Sequence, residues 1–306
     1  MNILALFNAL PGAVAQGLVW GVMAIGLYVS YKILDFADLT VDGSFCTGGA
    51  VAAVLIAGGM DPLFALVFAL LAGMAAGLIT GLLHTVFGIP GILAGILTQL
   101  GLYSINMHIM SGKSNVTISR TQYDLLLTSA SKLPSILVAG AAVLITIGVL
   151  YWFFGTSLGA TIRATGSNER MARAQGINTN LCKVLGLVIS NGFVGLSGGI
   201  LAQYQGNADI NMGRGAIVIG LAAVIIGDVL FGRFANFALR LGATVFGSVT
   251  YYVVLAFVLW LGLNSMDLKL FSAVTVAVFL AFPYLKRTYF KKKPQAGKET
   301  KHAADQ

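Results

Sequence analysis

The chain has 306 residues, of which 57% are hydrophobic and 10% charged, and its mean hydropathy is +0.86. Soluble domains carry about 25% charged residues, so this composition excludes an ordinary soluble enzyme or binding module. The net charge of +8 is no nucleic-acid signal, because much of it sits in the basic cluster between Lys286 and Lys301, a pattern that marks the cytoplasmic side of a membrane and lies against anionic lipid.

Stretches without Asp, Glu, Lys or Arg cover 1–31, 62–112, 133–162, 184–208 and 241–266. A bilayer crossing takes roughly 20 apolar residues, which predicts an all-α polytopic membrane protein of about 8–10 transmembrane helices. The spans read as 11–31, 43–59, 62–86, 91–110, 134–155, 182–203, 215–231, 239–262 and 270–285. The first lacks the positive segment of a signal peptide and reads as a retained span. Residues 1–285 form the membrane domain and 286–306 a basic cytoplasmic tail, predicted disordered. Counting back from that tail places 232–238 and 156–181 inside, 204–214 and 111–133 outside, and the N-terminus outside.

Between the first two spans stands "ILDFADLTVDGSFCTGGA", 33–50. Asp35, Asp38 and Asp42 fit no calcium-loop spacing, so no metal is assigned. Gly43, Ser44 and the Gly48–Gly49 pair predict a discontinuous membrane segment whose freed backbone lines a cavity. Acids this close to a bilayer are costly and tend to be functional or paired, so Asp38, Thr40, Asp42 and Ser44 are candidates for a solute pathway. In the third span Gly73, Gly77 and Gly81 share one face, and Gly17 with Gly21 and Gly91 with Gly95 repeat the spacing, as expected of closely packed helices. Gln16, Gln99, Asn106, His108 and Asn191 are polar within spans; Gln99, Asn106 and Asn191 join the pathway candidates, with helix-to-helix hydrogen bonding as the plainer reading.

"SGKSN", 111–115, lacks the glycine and preceding strand of a phosphate loop, since Met107 stands where that glycine belongs. "NVT", 115–117, is a glycosylation sequon without a secretory context. "RATGSNERMARAQGINTN", 163–180, is a basic island in apolar surroundings. Ser167 as N-cap, Glu169 in the first turn and Gly176 as a left-handed terminator predict a helix over 168–175, roughly 12 Å long. So short a helix is unstable alone; the bilayer surface or another protein must hold it. "GLSGGILAQYQGNADINMGRG", 195–215, places Gln203, Asn207 and Asp209 at the outer end of a span, as an entry vestibule or a wet loop. Asp228 is expected to pair with Arg233. Cys46 and Cys182 show neither disulfide nor metal spacing.

The island resembles the cytoplasmic loop of permeases in the branched-chain amino acid and ribose families of ABC importers, matching at Arg163, Ala164, Gly166, Asn168, Met171, Ala172, Gly176, Ile177 and Asn178. That resemblance implies a coupling segment, 157–181, that touches an ATPase through Arg163, Gly166, Ser167, Asn168, Glu169, Met171, Ala172 and Gly176. "DLTVDGSF" resembles the subfamily assigned to tryptophan, tyrosine or related amino acids. The 195–215 run and "NSMDLKLFSAV", 264–274, do so too, although Arg214 departs from the small or aliphatic residue expected there. The family implies a type II ABC importer permease-like bundle in the cell membrane, working as a homodimer or a pair of like permeases. It implies a cytoplasmic ABC ATPase dimer carrying ATP-Mg, an extracellular or periplasmic solute-binding protein, membrane lipid around the chain, and neither cofactor nor enzyme chemistry in the chain itself. An aromatic or branched-chain amino acid is the implied solute; a sugar, nucleoside or vitamin precursor stays open. The alternatives are an ion-coupled secondary transporter, with Asp38, Asp42 and Asp228 as its relay, and a membrane scaffold.

Overall fold

A computed structural model describes residues 3–118, 123, 125–231, 236–261 and 268–289. The helices are α1 (Ile3–Tyr28, running on into a π-helical turn Val29–Ile33), α2 (Val41–Ala57), α3 (Pro62–Thr85), α4 (Gly91–Ile109), α5 (Lys132–Gly155), α6 (Ser157–Ser167), α7 (Glu169–Ala174), α8 (Thr179–Gln205), α9 (Ala216–Phe231), α10 (Phe237–Trp260) and α11 (Leu268–Tyr289). Among the described residues six helices are long and apolar enough to cross a membrane, while α2 and α9 are apolar but shorter. The chain is a multi-pass membrane protein. Each apolar window of the sequence became a helix, and α11 extends to Tyr289, past the boundary drawn at residue 285.

α1 and α8 are enclosed by the bundle, whereas α3, α4 and α5 leave most of their surface free for lipid. The α3 glycines form the seam with α8. A Cβ on Gly73 or Gly77 would run into the carbonyls of Asn191 and Leu187, and one on Gly81 would stand 3.0 Å from Val184 Cα. Where lipid surrounds the helices, water does not drive them together, so backbone approach and short hydrogen bonds hold the bundle. Three buried serines illustrate this. Ser190, Ser197 and Ser248 donate to the carbonyls of Gly26, Val19 and Gly17 at 2.8, 2.8 and 2.7 Å, tying α1 to α8 and α10.

These contacts run α1 antiparallel to both α8 and α10, which puts the start of α1 at one end of the bundle and α6–α7 at the other. The first end carries a small sheet the sequence did not announce. Strand β1 (Asn115–Thr117) pairs antiparallel with β2 (Asn207–Asp209), with Val116 opposite Ala208. The sequon is thus a strand, and residues 111–118, 123, 125–131 and 206–215 form one rim.

The break between the first two spans lies before the glycines expected to cause it: Gly43, Ser44, Gly48 and Gly49 sit inside the continuous helix α2, where Gly48 and Gly49 pack closely against Gly195 and Met212. Residues 34–40 are not helical, and Asp35 takes φ +54°. A second break was not foreseen. The segment 204–214, expected as an outer loop, turns back along α2 after β2. There Cys46 Sγ donates to the Ile210 carbonyl at 3.2 Å, and a Cβ on Gly213 would meet the Asp42 carbonyl. It ends at Gly215, φ +85°, where α9 starts. The two breaks meet at Asp42, whose Oδ2 and Oδ1 accept the backbone N–H groups of Gly215 and Ile217 at 3.0 and 2.9 Å. A carboxylate at the positive end of α9 satisfies donors that the helix itself leaves free.

Candidate functional site

At that junction opens a cavity of about 280 Å³, walled by Asp42, Gly43 and Cys46 of α2, by Gln99, Leu100, Tyr103 and Asn106 of α4, and by Ile210, Gly213 and Arg214 of the returning segment. Gln99, Tyr103 and Asn106 follow one another at helical spacing, so one stripe of α4 faces the opening. Asn106 is 1% exposed, and its Oδ1 has no hydrogen-bond partner among the described residues. Arg214 is exposed. The wall therefore holds one acid, one base and several neutral polar groups.

Behind the cavity lies a closed polar clamp. Asn191 Nδ2 donates to Asp38 Oδ2 at 2.6 Å and to the Leu187 carbonyl at 3.0 Å, and Asn191 Oδ1 accepts from Ser44 Oγ at 2.6 Å. Asp38 Oδ1 accepts the Thr40 N–H at 2.9 Å. The Thr40 and Thr80 hydroxyls stand 2.6 Å apart, and Thr80 donates to Thr98 at 2.9 Å. The clamp joins the first break to α2, α3, α4 and α8. All of these side chains are buried, and buried polar groups persist when they are mutually satisfied.

The basic island forms a second feature at the far end. Thr156 Oγ1 caps α6 by accepting the Gly159 N–H at 3.3 Å, and Asn168 Oδ1 caps α7 by accepting the Met171 N–H at 3.0 Å. Ser167 is thus the last residue of α6 and not the N-cap expected of it. The chain goes extended one residue later, at Asn168 (φ −156°, ψ 98°). The reason is α6 itself, a helix the sequence pattern did not announce. Gly176 ends the turn after α7 with φ +79°, as expected. Glu169 is the hub of the island. Its Oε1 receives Arg173 Nη2 at 2.8 Å and Lys183 Nζ at 2.9 Å, and Arg173 Nε donates to Thr179 Oγ1 at 2.9 Å. The Lys183 hydrogen bond, with the charges of Lys183 and Arg173, outweighs partial burial and holds the Glu169 carboxyl below its usual range. These bonds fasten α7 to the start of α8.

α6 is also pressed on the first break. A Cβ on Gly166 would collide with the Ile33 carbonyl and come within 2.9 Å of Leu34 Cα. From α8, a Cβ on Gly186 would stand 3.0 Å from the Leu34 side chain. Met171 is 62% exposed, and Arg163, Ser167, Asn168 and Arg170 are exposed beside it.

The sequence model of a family described as branched-chain amino acid transport system / permease component matches residues 10–283. The chain belongs to this family of ABC importer permeases. It is 40% identical over 274 residues to a tyrosine transport system permease protein of Clostridioides difficile, covering 90% of this chain and 91% of that one. A nucleoside ABC transporter permease protein of Lactococcus lactis is 25% identical over 259 residues, covering 78% and 77%. The solved structure described as PsaBC from Streptococcus pneumoniae in complex with Fab covers 92% of this chain and 94% of its own, with a TM-score of 0.51 and 18% identity, a likeness of fold.

In the permease, the residues singled out from sequence divide by place. Asp42, Gln99 and Asn106 meet in the cavity, while Asp38, Thr40, Ser44 and Asn191 belong to the clamp behind it. Gln203 is bonded to the Pro62 carbonyl and the Leu126 N–H, Asn207 lies in β2 opposite Thr117, and Asp209 holds the Asn211 N–H at 2.7 Å. These three serve the rim and do not line the cavity. Of the coupling candidates, Ala172 is buried at 3% exposure and Gly166 faces Ile33, so both are turned to the permease's own body. Asp228 pairs with Lys32 at 2.6 Å; Arg233, its expected partner, lies outside the described residues, as do 264–267 and the tail beyond 289. Tyr103, Cys46 and Arg214 were missed as wall residues. For Tyr103 the signal was present in its spacing from Gln99 and Asn106. For Cys46 it was present likewise in the four-residue spacing from Asp42, whereas for Arg214 there was none, because the second break brings it to the wall.

Proposed function

We propose that the permease imports an amino acid through the cavity between α2 and α4, driven by an ABC ATPase dimer that grips α6–α7. The observation that supports this reading is the seat of Gly166 on Ile33. Force applied to the exposed face around Met171 passes through α6 to the chain break that continues into Asp38, the clamp and Asp42. The ATPases carry the ATP-Mg and the hydrolysis, and the α6–α7 end faces the cytoplasm together with the basic tail. The β1–β2 rim faces outward and receives the solute from a binding protein. A second permease copy closes the open side of the cavity. The 40% identical relative named for tyrosine supports an amino acid as cargo. Secondary transport is disfavoured: Asp38 is bonded to Asn191, Asp42 caps α9 and Asp228 pairs with Lys32, so the acids are held apart and form no relay.

The test is reconstitution in proteoliposomes with the cognate ATPase and binding protein, using L-tyrosine as the first solute of an amino acid panel. Uptake is expected only with all three components and ATP. Uptake by the permease alone under an ion gradient would overturn the reading. Met171→Asp is expected to abolish retention of the ATPase in a pull-down while the permease still inserts; undiminished retention would remove α7 from the docking surface.

A further inference from the structure

Asn106 presents a buried acceptor, Oδ1, with no hydrogen-bond partner among the described residues, in the wall of a cavity large enough for one small solute. An unpaired buried polar atom costs stability, and such atoms call for an explanation in what they bind. Its surroundings narrow the ligand. Asp42 accepts the backbone N–H groups of Gly215, Ile217 and Ala216, which leaves its carboxylate room for a further donor. Arg214 brings a guanidinium to the same wall. A sugar or nucleoside could hydrogen-bond both groups but would match the charge of neither. A zwitterion uses both.

We propose that this cavity is a transient seat for an amino acid in transit, with Asn106 Oδ1 and Asp42 accepting from the α-ammonium and Arg214 bonding the α-carboxylate. The proposal rests on the amino acid reading above and adds the groups that read it. Charge-assisted bonds to both ends orient the solute whatever its side chain, so the seat recognises the backbone of the amino acid. Selection among side chains then falls to the binding protein. Leu100 and Tyr103 offer the side chain an apolar and an aromatic surface.

The experiment uses the permease–ATPase complex without binding protein, carrying Gln99→Cys in a Cys46→Ala, Cys182→Ala background. The rate of modification by a methanethiosulfonate reagent is measured with L-tyrosine, with tyramine (no carboxylate) and with 3-(4-hydroxyphenyl)propionate (no ammonium). L-tyrosine is expected to slow modification about tenfold at ten times its Kd, and the two analogues to protect far less. Asn106→Leu and Arg214→Gln are expected to remove the protection. Equal protection by tyramine and tyrosine would overturn the zwitterion seat, and this comparison needs no variant at Asn106 or Arg214 to fold. If the complete transporter carries an amino acid but that amino acid never protects the introduced thiol, the seat falls and the import function stands. If no amino acid is carried at all, the function falls first and the seat with it.

Discussion

Asn191 shows what one side chain can hold together. Its amide bonds Asp38, Ser44 and the Leu187 carbonyl, locking the first break to α2 and α8. Asn191→Leu keeps the volume and strands a buried carboxylate. Removing one partner of a buried charge costs about 3–5 kcal/mol, while Ser44→Ala, which removes one neutral hydrogen bond, costs about 1 kcal/mol. Thermal melts of the purified protein should rank them in that order; an Asn191→Leu protein as stable as the parent would show that the clamp bears no such strain. At this scale the sequence was partly legible. It marked Asn191 as special, since a polar side chain within a span needs a reason. Yet it could not separate Asn191 from Asn106, because both are asparagines in apolar helices. One meets a carboxylate and a serine from a distant part of the chain and is satisfied; the other meets a cavity.

Among the elements, α6 matters most and was read least well. Its 157–167 segment is only weakly apolar, and the sequence offered a loop with one short helix after it. The structure makes it the strut between the exposed α7 and the turn at Ile33–Leu34, with Gly166 at the contact. Gly166→Val should therefore separate two events. The ATPase should still be retained in a pull-down, because the exposed face around Met171 is untouched, while ATP-driven uptake falls by about tenfold or more, the size of a typical coupling energy. Loss of both together would make α6 a part of the docking surface and no strut. The long helices posed no such difficulty. Charge-free windows near the bilayer thickness can satisfy their backbone only as helices, so their existence and limits were legible, and the glycine stripe of α3 named its own packing face.

The whole molecule is polarised. Among the described residues Lys32, Arg163, Arg170, Arg173, Lys183 and Arg240 gather at the α6–α7 end, against Lys113, Lys132 and Arg214 at the β1–β2 end. Basic loops stay on the cytoplasmic side, a bias that favours a bundle with its rim outward. Single cysteines test this in intact cells: Thr117→Cys should react with an impermeant maleimide from outside, and Ser167→Cys only after the membrane is opened. The reverse pattern would invert the transporter and separate α7 from any cytoplasmic ATPase.

Taken alone, the sequence determined a multi-pass helical protein, the order of its spans and the membership that its motifs share with importer permeases. These are properties of local composition and spacing, which the bilayer and the helix period translate directly into structure. The tertiary structure decided the second break, the meeting of both breaks at Asp42, the assignment of Asp38 and Asn191 to a clamp, and the seat of α6 on Ile33. Each of these joins residues far apart in the chain, and no local pattern carries the identity of a distant neighbour.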